Sequence, residues 1–161
     1  MKILTNLFLF SVGGVLAGFI SLIFLAIIPM PHFESGYVST ILTSLVEEII
    51  KLTILLFITM SLVSLSKFKH YVYLAVAFGL GFSLFELFLV LVSQTYLLNY
   101  TFLLTTIIHI VTSILLSILA YSYHNQQNQV LTSQKLSTKL VILFVLAFFI
   151  HLCYNLIVLR N

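Results

Sequence analysis

The sequence predicts an all-α protein, a polytopic membrane helix bundle with about five transmembrane helices forming a single integral-membrane domain over residues 1–161. Three observations predict it. Only 7% of the residues are charged and 61% are hydrophobic, where a soluble domain carries roughly 25% charged residues. Mean hydropathy is +1.22, and five apolar runs each reach the roughly 20 residues that a helix needs to cross a hydrocarbon core. The few charged residues outside those runs fall beside them, as juxtamembrane charges do.

The runs lie near 5–28, 37–64, 71–93, 101–123 and 139–159, and they account for so much of the chain that no separate soluble domain is expected. The first follows Lys2 as a signal peptide would. It far exceeds the roughly 7–15 apolar residues of a signal sequence, however, and no small-residue cleavage site follows it before Pro29. It reads as a helix, and Gly14 and Gly18, with Ser11 and Ser21 nearby, suit close packing against another span. The loop from Pro29 to Gly36 holds two prolines and Glu34 but no Lys or Arg; Ser66 to His70 carries Lys67 and Lys69; Gln94 to Tyr100 is uncharged. The segment from His124 to Thr138 is rich in Gln, Asn and Ser and reads as a flexible polar connection with room for a short surface helix. Counting alternate sides puts Lys2, Lys67, Lys69, Lys135 and Lys139 on one side and Arg160 alone on the other. The positive-inside rule then sets the amino terminus in the cytoplasm and the carboxyl terminus outside a cell membrane. The net charge of +3 is juxtamembrane and carries no implication of nucleic-acid binding. Cys153, the one cysteine, cannot form an internal disulfide and reads as a packing residue.

Against this background the stretch Ser44-Leu-Val-Glu47-Glu48-Ile-Ile-Lys51-Leu52 is anomalous. A charged residue at the centre of a bilayer costs on the order of 2.5–3.5 kcal/mol on the insertion scale, and here three fall within five positions. Lys51 shares a helical face with the glutamates, so part of the charge is neutralised locally, but one carboxylate is left over. Depth counting at 1.5 Å per residue gives it company. Glu47 and Glu48 lie about 15 Å below the outer boundary, Glu86 about 10 Å, and His109 and His151 about 12 Å, with Asn155 one turn above His151 on the same face. The faces agree: Ala75, Gly79, Ser83 and Glu86 on the third run, Thr105, His109, Thr112 or Ser113, and Ser117 on the fourth, and Ala147, His151 and Asn155 on the fifth form small or polar stripes that point into a bundle. His32, His70 and His124 fall in loops or at span ends and read as interfacial.

These residue types predict a polar chamber in the outer half of the membrane. Neighbouring carboxylates in a low-dielectric site cannot all ionise and titrate as a set. A carboxylate that takes and returns a proton is what general acid–base hydrolysis requires. Histidine can help activate water or donate to a developing oxyanion, and Asn155 can donate to it through its amide. If a divalent metal such as zinc is bound, Glu86, His109 and His151 supply carboxylate and imidazole ligands of the types it takes; nothing in the spacing requires one.

The motifs EEIIK at 47–51, FSLFE at 82–86, His109 followed by Thr112, and HLCYN at 151–155 resemble those of the PrsW-like intramembrane proteases, within the CPBP group that includes the type II CAAX-prenyl proteases. They touch four of the five runs in the family order. The resemblance implies peptide-bond hydrolysis inside the membrane, with Glu47 and Glu48, partnered by Glu86 or His109, activating water and with His151 and Asn155 stabilising the oxyanion. It also implies a membrane-protein or peptide substrate of the anti-sigma-factor type, cleaved at an extracytoplasmic position. Glu86 stands where CAAX-type members have His, which favours the PrsW-like branch; Leu87 stands where Asn often follows. Two other classes are weighed beside it. Buried Glu and His chains also serve as proton or ion relays, although the polar groups are expected to cluster in one layer and not to continue towards the cytoplasmic side. A non-catalytic immunity or interaction protein on the same scaffold is the third.

Overall fold

A computed structural model describes residues 2–27, 36–61, 67–92, 100–126 and 133–160. They form five helices: α1 (Lys2–Ile27), α2 (Gly36–Ser61), α3 (Phe68–Val92), α4 (Tyr100–Gln126) and α5 (Ser133–Arg160). The protein is an all-α helical bundle. Four of the helices contain stretches long and apolar enough to cross a membrane, Ile3–Ile27, Phe68–Val92, Phe102–His124 and Thr138–Val158. α2 matches them in length but carries Glu47, Glu48 and Lys51 in its middle. The loops from Pro29 and from Gln94, and the proposed surface helix after Gln126, lie outside the described residues. What is described of the fourth connection differs from expectation. α4 runs on to Gln126 and α5 already begins at Ser133, because Gln, Lys, Ser and Thr continue a helix past its apolar stretch as readily as they form a loop.

The packing is that of a bundle in lipid, with polar residues inside and apolar ones outside. Phe8, Phe57, Phe88, Val141 and Ile157 are among many large apolar side chains left exposed, whereas Ser44, Glu48, Lys51, His109, Thr112 and His151 are buried. Hydroxyls that face no other helix are satisfied within their own. Thr40, Thr43, Thr53 and Ser61 each donate to the carbonyl four residues back, which removes an unmet donor from hydrocarbon.

α1 and α3 run parallel, and glycine lets them meet backbone to backbone. A Cβ built on Gly14 would lie 2.0 Å from the Phe78 carbonyl oxygen, and one on Gly81 would lie 2.0 Å from that of Ser11. Gly18 fits against the Phe85 ring. The expected packing role of Gly14 and Gly18 is thus realised on α3. α3 meets the antiparallel α4 in the same manner, Gly79 lying against the backbone of His109 and Ile110. α4 packs on α5, and α2 touches α1, α4 and α5. α2 and α3, consecutive in the chain, make no backbone contact among the described residues. The space between them is bridged by side chains alone, and those side chains are the ones singled out above.

Candidate active site

Glu48 of α2 anchors the site. Its Oε1 accepts a hydrogen bond from Lys51 Nζ at 2.7 Å, one turn along the same helix, and another from His151 Nδ1 at 2.7 Å, from α5. Lys51 reaches onward to His109 Nδ1 of α4 at 2.8 Å. On the far side of that ring, His109 Nε2 lies 2.5 Å from Glu86 Oε2 of α3. Four helices therefore close on one another through Glu86, His109, Lys51, Glu48 and His151, all but Glu86 fully buried. The imidazole rings of His109 and His151 meet edge to face with centroids 5.0 Å apart. Phe82 floors the cluster, its ring 4.3 Å from Lys51 Nζ and 4.7 Å from the His109 ring. A buried charge is tolerable only when paired and hydrogen-bonded, and each group here has at least one such partner.

Glu47 is the exception. Adjacent residues on a helix point about 100° apart, so while Glu48 turns into the network Glu47 turns toward α1 and α3. Its Oε2 is buried without a hydrogen-bond partner among the described residues, 3.4 Å from His151 Nε2. With Nδ1–H given to Glu48, a neutral His151 presents a lone pair to Glu47, and the contact is satisfied when one proton lies between the two.

Beside Glu47 is a cavity of about 60 Å³. A water molecule needs roughly 10–15 Å³ on this scale, so a few fit. Gly18, Ser21, Phe82 and Phe85 wall it, and Glu47 and Glu86 both line it, the first from α2 and the second from α3. The larger cavity of about 980 Å³ lies elsewhere, on the outer side of α1 and α3 around Leu4, Phe8, Tyr73 and Leu80, and no Glu, His or Lys lines it among the described residues. Size and chemistry point to different places, and general acid–base work requires the smaller one.

Every residue expected at the site is in or beside it. Asn155 stands at its edge, one amide N–H donated to Ser44 Oγ of α2 at 3.0 Å, with the neighbouring Tyr154 hydroxyl hydrogen-bonded to Thr105 of α4. Sequence reasoning missed three participants: Lys51 as a link between helices, Ser44 as the partner of Asn155, and Phe82 as the floor. The Ser44–Glu48–Lys51 stripe carried the signal for the first two. The three residues considered for a metal do not form a ligand set. Both ring nitrogens of His109 are taken by Lys51 and Glu86, His151 faces the α2 glutamates, and no group of three or more His, Cys, Asp or Glu among the described residues is arranged to hold an ion.

Compared with known proteins, the chain matches no family model, no curated protein and no solved structure.

Proposed function

We propose that the protein is an intramembrane endopeptidase, a member of the PrsW-like branch, that hydrolyses a peptide bond of a membrane-associated substrate. The observation that carries this reading is the water-sized cavity lined by two carboxylates from different helices, Glu47 and Glu86, each with an imidazole next to it. Water bound between them loses a proton to Glu47, where His151 Nε2 lies close enough to share it. The hydroxide attacks the scissile carbonyl, and the proton passes from the Glu47–His151 pair to the departing amine, leaving one carboxylic acid and one amine. Glu86, held by His109, orients the water from the opposite wall. Asn155, at the edge of the site, supplies an amide N–H to the developing oxyanion. Glu48 does not contact water in this scheme; it holds Lys51 and His151.

In this reading α2 crosses a cell membrane with the other helices, the amino terminus is cytoplasmic, and the site lies in the outer half of the bilayer. The charge asymmetry of the connections supports that orientation, and the anti-sigma-factor type of substrate follows from the resemblance alone. The decisive experiment compares membrane-protein fragments by terminal-peptide mass spectrometry in cells carrying the wild type or Glu47→Gln. Fragments present with the wild type and missing from the folded variant are expected; identical fragment sets from both would end the protease reading.

One observation favours a second reading, proton conduction. Below His109, Ser113 and Ser117 of α4 are buried, with Tyr71 buried nearer the other end, so hydroxyls continue beyond the charged layer. Proton flux in liposomes that is abolished by Glu86→Gln would select it.

A further inference from the structure

Lys51 has no part in the hydrolysis just described, yet it is fully buried and touches side chains of two other helices. Its ammonium has three N–H donors and no lone pair. One donor goes to Glu48 Oε1 at 2.7 Å and one to His109 Nδ1 at 2.8 Å, while Phe82 lies under the charge at 4.3 Å from Nζ to the ring centroid. An ammonium only donates, so Nδ1 of His109 is the acceptor and the ring proton resides on Nε2, 2.5 Å from Glu86 Oε2.

We infer that Lys51 is the positioning residue of this site: from α2 it fixes His109 of α4 as the Nε2–H tautomer and, through that ring, holds the Glu86 carboxylate of α3 at the wall of the cavity. The fold explains why such a device is needed. α2 and α3 have no backbone contact among the described residues, so no direct main-chain packing fixes Glu47 against Glu86. A neutral imidazole without a donor at Nδ1 is free to carry its proton there. It would then turn a lone pair toward Glu86, and the carboxylate would lose its tether. Of the other groups facing His109, Glu86 accepts from Nε2–H and favours the same tautomer, but it offers Nδ1 no donor. Phe82 and the edge-on ring of His151 pack against its faces, at centroid distances of 4.7 Å and 5.0 Å, and supply no hydrogen bond to Nδ1.

The role in catalysis rests on the hydrolytic reading above, whereas the tautomer is measurable without turnover, so the two fail separately. The experiment is ¹⁵N NMR of the full chain in lipid nanodiscs, with histidine labelled in the ring and the His109 signals assigned by their loss in His109→Gln. In the wild type His109 is expected to be neutral with its proton on Nε2. Lys51→Arg retains a donor and is expected to keep that tautomer, and Lys51→Met is expected to produce the Nδ1–H form in part or in full. A wild-type His109 that is protonated on Nδ1, alone or as imidazolium, overturns the inference without any lysine variant. So does a folded Lys51→Met whose His109 spectrum is unchanged. Should Lys51→Met fail to fold, the wild-type spectrum decides.

Discussion

Two seams hold this bundle together by opposite means. Between α1 and α3 Gly14 and Gly81 bring main chains into contact, each with a carbonyl of the partner helix where a Cβ would sit. Where α2 meets α4 and α5 the side chains are long and ionisable, and Glu48, Lys51, His109 and His151 are joined across the seam by hydrogen bonds. Lipid tails are as apolar as leucine, so neither seam gains from burying hydrocarbon. The glycine seam gains dispersion from close approach; the charged seam gains because each group's alternative is an unmet charge in an apolar medium. The charged seam assembles the ionisable groups at one level, and Glu47, whose Oε2 has no hydrogen-bond partner among the described residues, faces the cavity.

That contrast is open to attack. The largest loss of stability is expected from removing one partner of the charged seam. Glu48→Leu removes the carboxylate that Lys51 and His151 share, at a cost of about 3–5 kcal/mol, read as a lowered thermal midpoint in detergent. Adding Lys51→Met to it should recover part of that loss, since replacing a whole buried pair by apolar groups is far less costly than breaking it; no recovery would mean that the pair is not the main constraint. Next comes the glycine seam. Gly81→Val forces backbones apart where no flexible side chain can yield, and overpacking of this kind costs about 1–3 kcal/mol, whereas Ala at Leu80, on the exposed face one residue earlier, should cost much less. Smaller again is Tyr154→Phe, which deletes the hydrogen bond to Thr105 and should cost about 1 kcal/mol.

Glu47→Gln sharpens the comparison from the other side. Because Glu47 Oε2 has no hydrogen-bond partner among the described residues, the thermal midpoint should barely move, yet on the proposed hydrolytic reading loss of the general base should lower turnover by about 10²–10⁴-fold. A variant that is both inactive and strongly destabilised would place Glu47 with the structural seam instead of the reactive one.

Much of this is legible in the sequence. Counting rise per residue brought Glu47, Glu48, Glu86, His109 and His151 to one level on four helices, and helical periodicity turned their stripes inward. Both depend only on local geometry that every α-helix shares. For the same reason only half of the role of Lys51 is legible there. Its i+3 spacing from Glu48 is a local feature and predicts the bond between them, whereas its reach to His109 crosses from α2 to α4, and no periodicity encodes which helix stands opposite.

The sequence by itself determined an all-helical membrane fold, close packing at Gly14 and Gly18, and the residues that share a layer, because hydropathy, length and helical pitch are properties of single segments. Only the tertiary structure decided the rest. It left α2 and α3 apart, so that side chains alone fill the gap. It also gave the adjacent glutamates different surroundings, Glu48 bonded to Lys51 and His151 and Glu47 at the cavity. Neighbours in sequence point in different directions on a helix, and what each one meets is fixed by the arrangement of the other four.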